Sequence, residues 1–272
     1  MQTRSGNHAQ GIDVSHWQGS IDWQKVRAAG KSFVFIKATE SSRYTDDHFF
    51  TYLKGAKAAG LLVGAYHFTR AAKPADVKDE VDHFLKVINQ AGGMSSFDLP
   101  FVLDAETKEA RTRANVTATV RSWVDEFKRQ TGVTPLLYTY PSFIEGYLDS
   151  SLADVPLWYA YYSNVPPVNK SGWKSWQFLQ YTSEGKVPGI SGNVDLNEYK
   201  GSEAELMAVY KKGNDGSESP ANNHEVPAWK ESGRQWLIDH AGISSDWKAE
   251  DPVDIGTLGA ILAKFTSRNI DS

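Results

Sequence analysis

Eight short apolar, β-rich runs recur along the first two hundred residues, and their spacing limits the chain to few folds. They are "GIDVSHW" (11–17), "SFVFIKA" (32–38), "LLVGAYHF" (61–68), "PFVLDAE" (100–106), "PLLYTY" (135–140), "PLWYAYY" (156–162), "WQFLQYT" (176–182) and "NVDLNEY" (193–199). Helical patterns lie between several of them. "IDWQKVRAAG" follows Ser20, a candidate cap, and stops at Gly30. Residues 46–59 carry Phe49, Tyr52, Leu53 and Ala56 at helical spacing; residues 75–91 carry Val77, Val81, Phe84, Leu85 and Ile88; residues 115–131 carry Val116, Val120, Trp123, Val124 and Phe127. Strand and helix in alternation, with eight strands, predict an α/β fold of the (β/α)8 barrel type. Short Pro- and Gly-containing connectors after the fifth strand leave little room for full helices, so the barrel is expected to be irregular. A doubly wound open sheet is the alternative.

The barrel pattern runs to about residue 212. "NDGSESPANNHE" (214–225) is almost free of apolar residues, which assigns 213–225 to a flexible linker. Residues 226–272 are expected to form a small helical module. One amphipathic helix would carry Trp229, Trp236, Leu237 and His240 and end near Gly242; the other would start at Asp254 and carry Ile255, Leu258, Ile261, Leu262 and Phe265.

Composition narrows the function. A net charge of −4 gives no general electrostatic reason to bind nucleic acid or an anionic membrane. The absence of cysteine removes thiol nucleophiles, disulfides and Cys-based zinc sites. "MQTRSGNHAQ" lacks the apolar core of a secretory signal, and no run of about 18 apolar residues occurs to span a membrane. Nine Trp and twelve Tyr are out of the ordinary; some must be core, but flat aromatic faces also suit the C–H faces of sugars in a glycan-binding cleft.

Barrel chemistry is sited at the C-terminal ends of the strands. The polar residues there are Asp13 and His16, Lys37 and Glu40, Tyr66 and His67, Asp104 and Glu106, Tyr138 and Tyr140, Trp158 and Tyr161, Gln180, and Asp195. "FVLDAE" places Asp104 and Glu106 two residues apart on a strand, on the same side and roughly 6.5–7 Å apart. Two such carboxylates do not both ionise freely, so one keeps a proton near neutral pH. Glycosidic cleavage needs that proton for the leaving oxygen and a negative charge for the oxocarbenium-like centre. Asp-x-Glu alone is common on solvated loops; its place behind "PFVL" gives it weight. Singly, His16 and His67 read as structural residues, Asp13 as a cap or ion-pair partner, and the aromatics as core. Lys37, inside "FVFIKAT", needs an acid partner, Asp104 or Glu40.

Taken together, the segments "GIDVSHWQGSIDW", "FVFIKATES", "GLLVGAYHF", "FVLDAE", "LLYTY", "LWYAYY", "FLQYTS" and "VDLN", in this order over residues 11–197, resemble the glycoside hydrolase family 25 lysozymes, N-acetylmuramidases of phage endolysin type. The resemblance implies a cofactor-free peptidoglycan hydrolase, cleaving the β-1,4 bond between N-acetylmuramic acid and N-acetylglucosamine. Glu106 would be its general acid/base, Asp104 its partner, and Asp13 and Asp195 further catalytic carboxylates. Lys37, Glu40, Tyr66, His67, Tyr138, Trp158 and Gln180 would bind substrate. A phage enzyme of this kind would be made in the cytoplasm and reach the wall after holin-mediated release. The tail resembles small helical cell-wall-anchoring units, although its acids outnumber its bases, so a wall polymer would be held by shape and aromatic contacts. A helical lid or a dimerisation tail is the alternative there.

Two other classes compete. A non-catalytic glycan binder would have no reason to gather four mutually repelling acids. A metal-dependent deacetylase or amidase needs closely spaced ligands, and the seven histidines are scattered with no H-x-x-x-H pair. Full lytic activity is therefore expected in EDTA, measured as turbidity loss of wall suspensions; loss of activity would restore the metal class.

Overall fold

The computed structural model describes residues 1–107, 112–210 and 228–241. The chain divides into two units, Met1–Lys212 and Gly213–Ser272. In the first, nine strands form one sheet: β1 (Gln10–Val14), β2 (Lys31–Glu40), β3 (Tyr44–Thr45), β4 (Leu62–Phe68), β5 (Val102–Asp104), β6 (Leu136–Thr139), β7 (Leu157–Ala160), β8 (Phe178–Gly185) and β9 (Val194–Tyr199). Pairing of β1 with β2 closes it, so eight strands make a barrel and β3 is a short flap on the end of β2. Closure excludes the open sheet. All eight apolar runs are barrel strands; only β3, too short to show a period, escapes the sequence pattern.

The helices follow the same logic. Between strands lie α1 (Trp23–Ala28), α2 (Phe49–Ala58), α3 (Val77–Gln90), α4 (Arg113–Thr131) and the short α5 (Pro141–Tyr147), with α6 (Glu203–Tyr210) after the last strand. The cap of α1 is Asp22, which accepts from the Lys25 N–H at 3.2 Å, and not Ser20. An aspartate adjoining the first helical residue satisfies an orphan donor that a serine two positions earlier is too remote to reach. No α-helix stands between β7 and β8 or between β8 and β9. There the barrel is irregular as expected: the β8–β9 connector is short, whereas the β7–β8 connector is as long as the one that holds α5 but is interrupted by Pro166, Pro167 and Gly172. In the second unit, α7 (Ala228–Ala241) occupies the place of the first expected tail helix, with Trp236 stacked on His240. The linker and the second tail helix lie outside the described residues.

One departure from regular barrels matters for the site. β1, β2 and β4 to β8 run parallel, but β9 is antiparallel to both β8 and β1. The turn from β8 into β9 therefore lies at the same end as the C-termini of the other strands.

Side chains alternate across the wall, and the two faces have separate cores. Phe33, Phe35, Leu62, Val102, Leu136, Trp158, Phe178 and Tyr199 fill the interior, while Val34, Ile36, Val63, Leu103, Leu137, Tyr159 and Leu179 pack outward against the helices. The interior is filled by rings: Phe35 stacks on Trp158 at 4.5 Å and meets Phe178 edge-on at 5.0 Å. Gly64 leaves room for Phe35. A Cβ at that position would stand 2.5 Å from the Phe35 ring and 3.0 Å from Leu99 Cβ. Because Phe35 is clamped by two other rings, Gly64→Ala should destabilise the fold by about 1–3 kcal/mol. Differential scanning calorimetry should show a melting temperature lower by about 3–10 °C; an unchanged melt would mean the interior is looser than this packing.

Candidate active site

Parity in the wall decides which polar residues reach the barrel mouth. Continuing the inward rows upward from Phe35, Gly64, Val102, Leu136 and Phe178 gives Lys37, Tyr66, Asp104, Tyr138 and Gln180. On β1 the inward row holds Asp13. Because β9 runs the other way, Asp195 reaches the mouth from the start of its strand and not from its end, directly opposite Asp13 in the ladder. These residues, with Ser15, Trp17, Phe68, Glu106, Trp158 and Tyr162, surround a cavity of about 260 Å³. All four acids expected to be catalytic line it.

The mouth holds two carboxylate pairs. Asp13 is buried, and its Oδ2 accepts from Gln180 Nε2 at 2.8 Å and Asn197 Nδ2 at 2.7 Å. Asn197 in turn accepts from Trp158 Nε1 at 2.8 Å, and Gln180 Oε1 accepts from the hydroxyls of Tyr138 (2.9 Å) and Tyr162 (2.5 Å). Burial and then the charge of Asp195 push Asp13 well above the usual carboxylate range, and burial lifts Asp195 to about 6. Facing each other across the ladder, the two carboxyls repel when both are ionised, so the pair keeps a proton above the ordinary carboxylate range.

The second pair is Asp104 and Glu106. Ala105 between them is buried in the outer core, and its N–H donates to the Tyr138 carbonyl at 3.0 Å, so both neighbours face the cavity. Burial, then the charge of Glu106, pushes Asp104 well above its ordinary value, against the pull of Lys37. Glu106 is also raised by burial, with Lys37 and Arg70 drawing it back. Asp104 Oδ1 is buried without a hydrogen-bond partner among the described residues.

Lys37 is neutralised by Glu40, Nζ to Oε2 at 2.6 Å, and lies 4.9 Å above the centre of the Phe68 ring. Of its two candidate partners, Glu40 is the one bonded to it. Glu40 also accepts from Arg70 Nε at 2.8 Å, so it acts on the cavity through Lys37 and stands outside the lining.

His67 is corrected by the structure. It follows Tyr66 directly, and neighbours on a strand face opposite ways. Its ring lies wholly buried outside the barrel wall, stacked on Trp123 at 5.5 Å and held by Thr39 and Glu80. Tyr161 fails for the same reason: parity with Trp158 selects Tyr162, while Tyr161 stacks on Tyr159 behind the wall. Tyr140 turns away into α5 against Phe143, and His16 hydrogen-bonds Asp46 at 2.8 Å. Asn197, Phe68, Tyr162 and the 81% exposed Trp17 line or support the cavity without having been singled out. Counting by twos from Asp195 and Tyr66 would have found Asn197 and Phe68.

An α/β barrel whose mouth gathers two proton-retaining carboxylate pairs beneath an aromatic rim has the parts of a glycoside hydrolase. The sequence profile of the glycosyl hydrolases family 25 matches residues 12–190. Lysozyme M1 of Streptomyces globisporus is 39% identical over 211 residues, spanning 74% of this chain and 70% of its own. An N,O-diacetylmuramidase of Chalaropsis sp is 31% identical, over 68% of this chain and 95% of its own. The crystal structure of a bacterial lysozyme from Streptomyces coelicolor superposes with a TM-score of 0.64 at 33% identity, covering 76% of this chain and 98% of that one. The chain belongs to glycosyl hydrolase family 25. It is a glycosidase of the N-acetylmuramidase, or lysozyme, type, and peptidoglycan is its substrate.

The raised acids carry a stability consequence. Asp195 rises from 3.8 to about 6 on folding, so between those values the native state binds more protons than the unfolded chain. Its favourable contribution is complete below the lower value and is lost as pH rises through the upper. Asp195→Asn removes the ionisation and offers Asp13 an amide donor. Its melting temperature should exceed that of the parent by about 3 °C or more near pH 7.5, with the gap closing towards pH 4. A gap that widens on acidification would reverse the assigned shift.

Proposed function

We propose that Glu106 is the general acid/base for cleavage of the β-1,4 bond between N-acetylmuramic acid and N-acetylglucosamine, and that the substrate's own 2-acetamido group is the nucleophile. The reading rests on one observation: Asp104 Oδ1 is a buried acceptor without a partner, two residues from a raised glutamic acid. Asp104 also lines the cavity, so an acetamido N–H bound there would have its carboxylate to donate to. Accepting it favours the ionised form of Asp104 and leaves the pair's proton on Glu106, where the leaving oxygen needs it. In the first step the acetamido oxygen bonds to the anomeric carbon, the glycosidic bond breaks, and Glu106 gives its proton to the departing oxygen. In the second, Glu106 takes a proton from water, whose oxygen attacks the anomeric carbon as the acetamido oxygen leaves. A direct nucleophile requires carboxyls about 5–5.5 Å apart and water-mediated inversion about 6.5–9.5 Å; spacing at positions i and i+2 suits substrate assistance at least as well.

Asp13 and Asp195 would supply negative charge near the developing cation, oriented by Gln180 and Asn197. Tyr66, Tyr138 and Trp158 in the lining, with Trp17 and Tyr162 at the rim, would flank the sugar rings. The residues after 212 would tether the enzyme to a wall polymer, raising its local concentration. Release of a cytoplasmic enzyme through a holin-opened membrane remains the matching phage-type setting.

One set of wall assays tests these assignments. Glu106→Gln should lose about 10²–10⁴-fold in turnover while still sedimenting with walls, and truncation after residue 212 should weaken sedimentation more than turnover. New reducing ends should be muramic acid by mass spectrometry. A substrate whose acetamido group is replaced by a free amine should be nearly inert; efficient turnover of it would remove the assisted route.

A further inference from the structure

A buried carboxylate outside the barrel is bound to the end of β4, beside the strand end that carries Asp104 and Glu106. Glu80 lies in the first turn of α3 and is 3% exposed. Its Oε2 accepts from Thr69 Oγ1 at 2.6 Å and stands 3.1 Å from His67 Nε2; its Oε1 accepts from the Arg70 N–H at 2.8 Å. Burial holds His67 below its ordinary value, and Thr39 Oγ1 lies 2.8 Å from its Nδ1, which fits a neutral ring donating from Nε2 to Glu80. One carboxylate thus gathers donors from residues 67, 69 and 70, the last of β4 and the loop beyond it.

That loop grips the catalytic strand end on both sides of Glu106. The Thr69 N–H donates to the Asp104 carbonyl at 3.1 Å, and the Thr69 carbonyl accepts from Thr107 Oγ1 at 3.0 Å. β5 is only three residues long: Asp104 is its last member, paired with Phe68 and Tyr138, and Glu106 lies beyond the paired residues. From these contacts we infer that Glu80 is a positioning residue for the catalytic pair, acting through the Thr69 hydroxyl and backbone to hold Asp104 and Glu106 against the substrate. Fixing reacting groups against substrate is a large part of catalysis, and a misplacement of about 1 Å is enough to lower a rate by about a hundredfold. This inference rests on the assignment of Glu106 and Asp104 proposed above.

Glu80→Gln keeps the shape but leaves one oxygen to accept from three donors. Thr69→Val removes the hydroxyl without changing the size of the side chain, and Thr69→Ser restores it. Steady-state kinetics on a defined glycan oligomer, with thermal melts confirming that each variant is folded at the assay temperature, should separate positioning from mere stability. Expected are kcat losses of about 10- to 100-fold for Glu80→Gln and Thr69→Val with KM within about twofold. Thr69→Ser should stay within about threefold of the parent, and the double variant should be no slower than the slower single, because both act through one link. Folded variants that keep kcat, effects confined to KM, multiplicative losses in the double variant, or failure of Thr69→Ser to restore turnover would each overturn the inference. Should Glu80→Gln melt below the assay temperature, the Thr69 pair alone decides. Glu106→Gln, run alongside, isolates the underlying assignment: if it stays active, the proton-donor reading falls irrespective of Glu80.

Discussion

Closing eight strands into a ring forces every second side chain inward, and the site depends on that single geometric fact. Inside a narrow barrel the inward rows must be apolar over most of their height, which the Phe33, Phe35, Trp158 and Phe178 stack provides. At the top the same rows meet water and can end in charge. Asp13, Lys37, Tyr66, Asp104, Tyr138 and Gln180 are the next members of rows whose lower members hold the core together. The groups at the mouth and the barrel packing are therefore one pattern read at two heights, and a one-residue slip in β1, β5 or β9 would exchange an acid for an aliphatic residue.

The acids stay where solvation alone would not put them because each pair is answered by something nearby. Amides of Gln180 and Asn197 hold Asp13, Lys37 and Arg70 offset the charge of Glu106, and Glu40 ties those two cations together. What is left over is a proton held in each pair and a buried Asp104 carboxylate at the cavity wall. Both are features that a glycan with an acetamido arm and a basic leaving oxygen can use.

Most of the barrel was legible because apolar runs and Gly stops are short-range signals. The strand ends of β2, β4, β5 and β8 were also legible, since each contains an out-of-place polar residue after an apolar run. Facing was harder. Tyr66 and His67 look alike as strand-end polar residues, and only the wall's alternation separates the cavity-facing tyrosine from the histidine packed on Trp123. The direction of β9 was not visible at all, because a strand's pattern is nearly the same read in either sense. Asp195 was placed correctly at the mouth for an incorrect reason. Glu80 escaped notice because nothing in a helical repeat marks a carboxylate that turns inward toward a distant loop.

The reversed last strand also shapes how this enzyme could diversify. Its turn, residues 186–193, joins the rim, and Gly189 O accepts from the Asp22 N–H while Ile190 bridges Ile21. That brace carries the loop bearing Trp17, which projects beside the cavity. Lengthening this hairpin tip outside the Gly189–Ile190 brace would remodel the approach to the cavity without disturbing a parallel strand or a carboxylate. Selectivity among differently decorated walls can therefore drift at that corner while the chemistry beneath it is conserved.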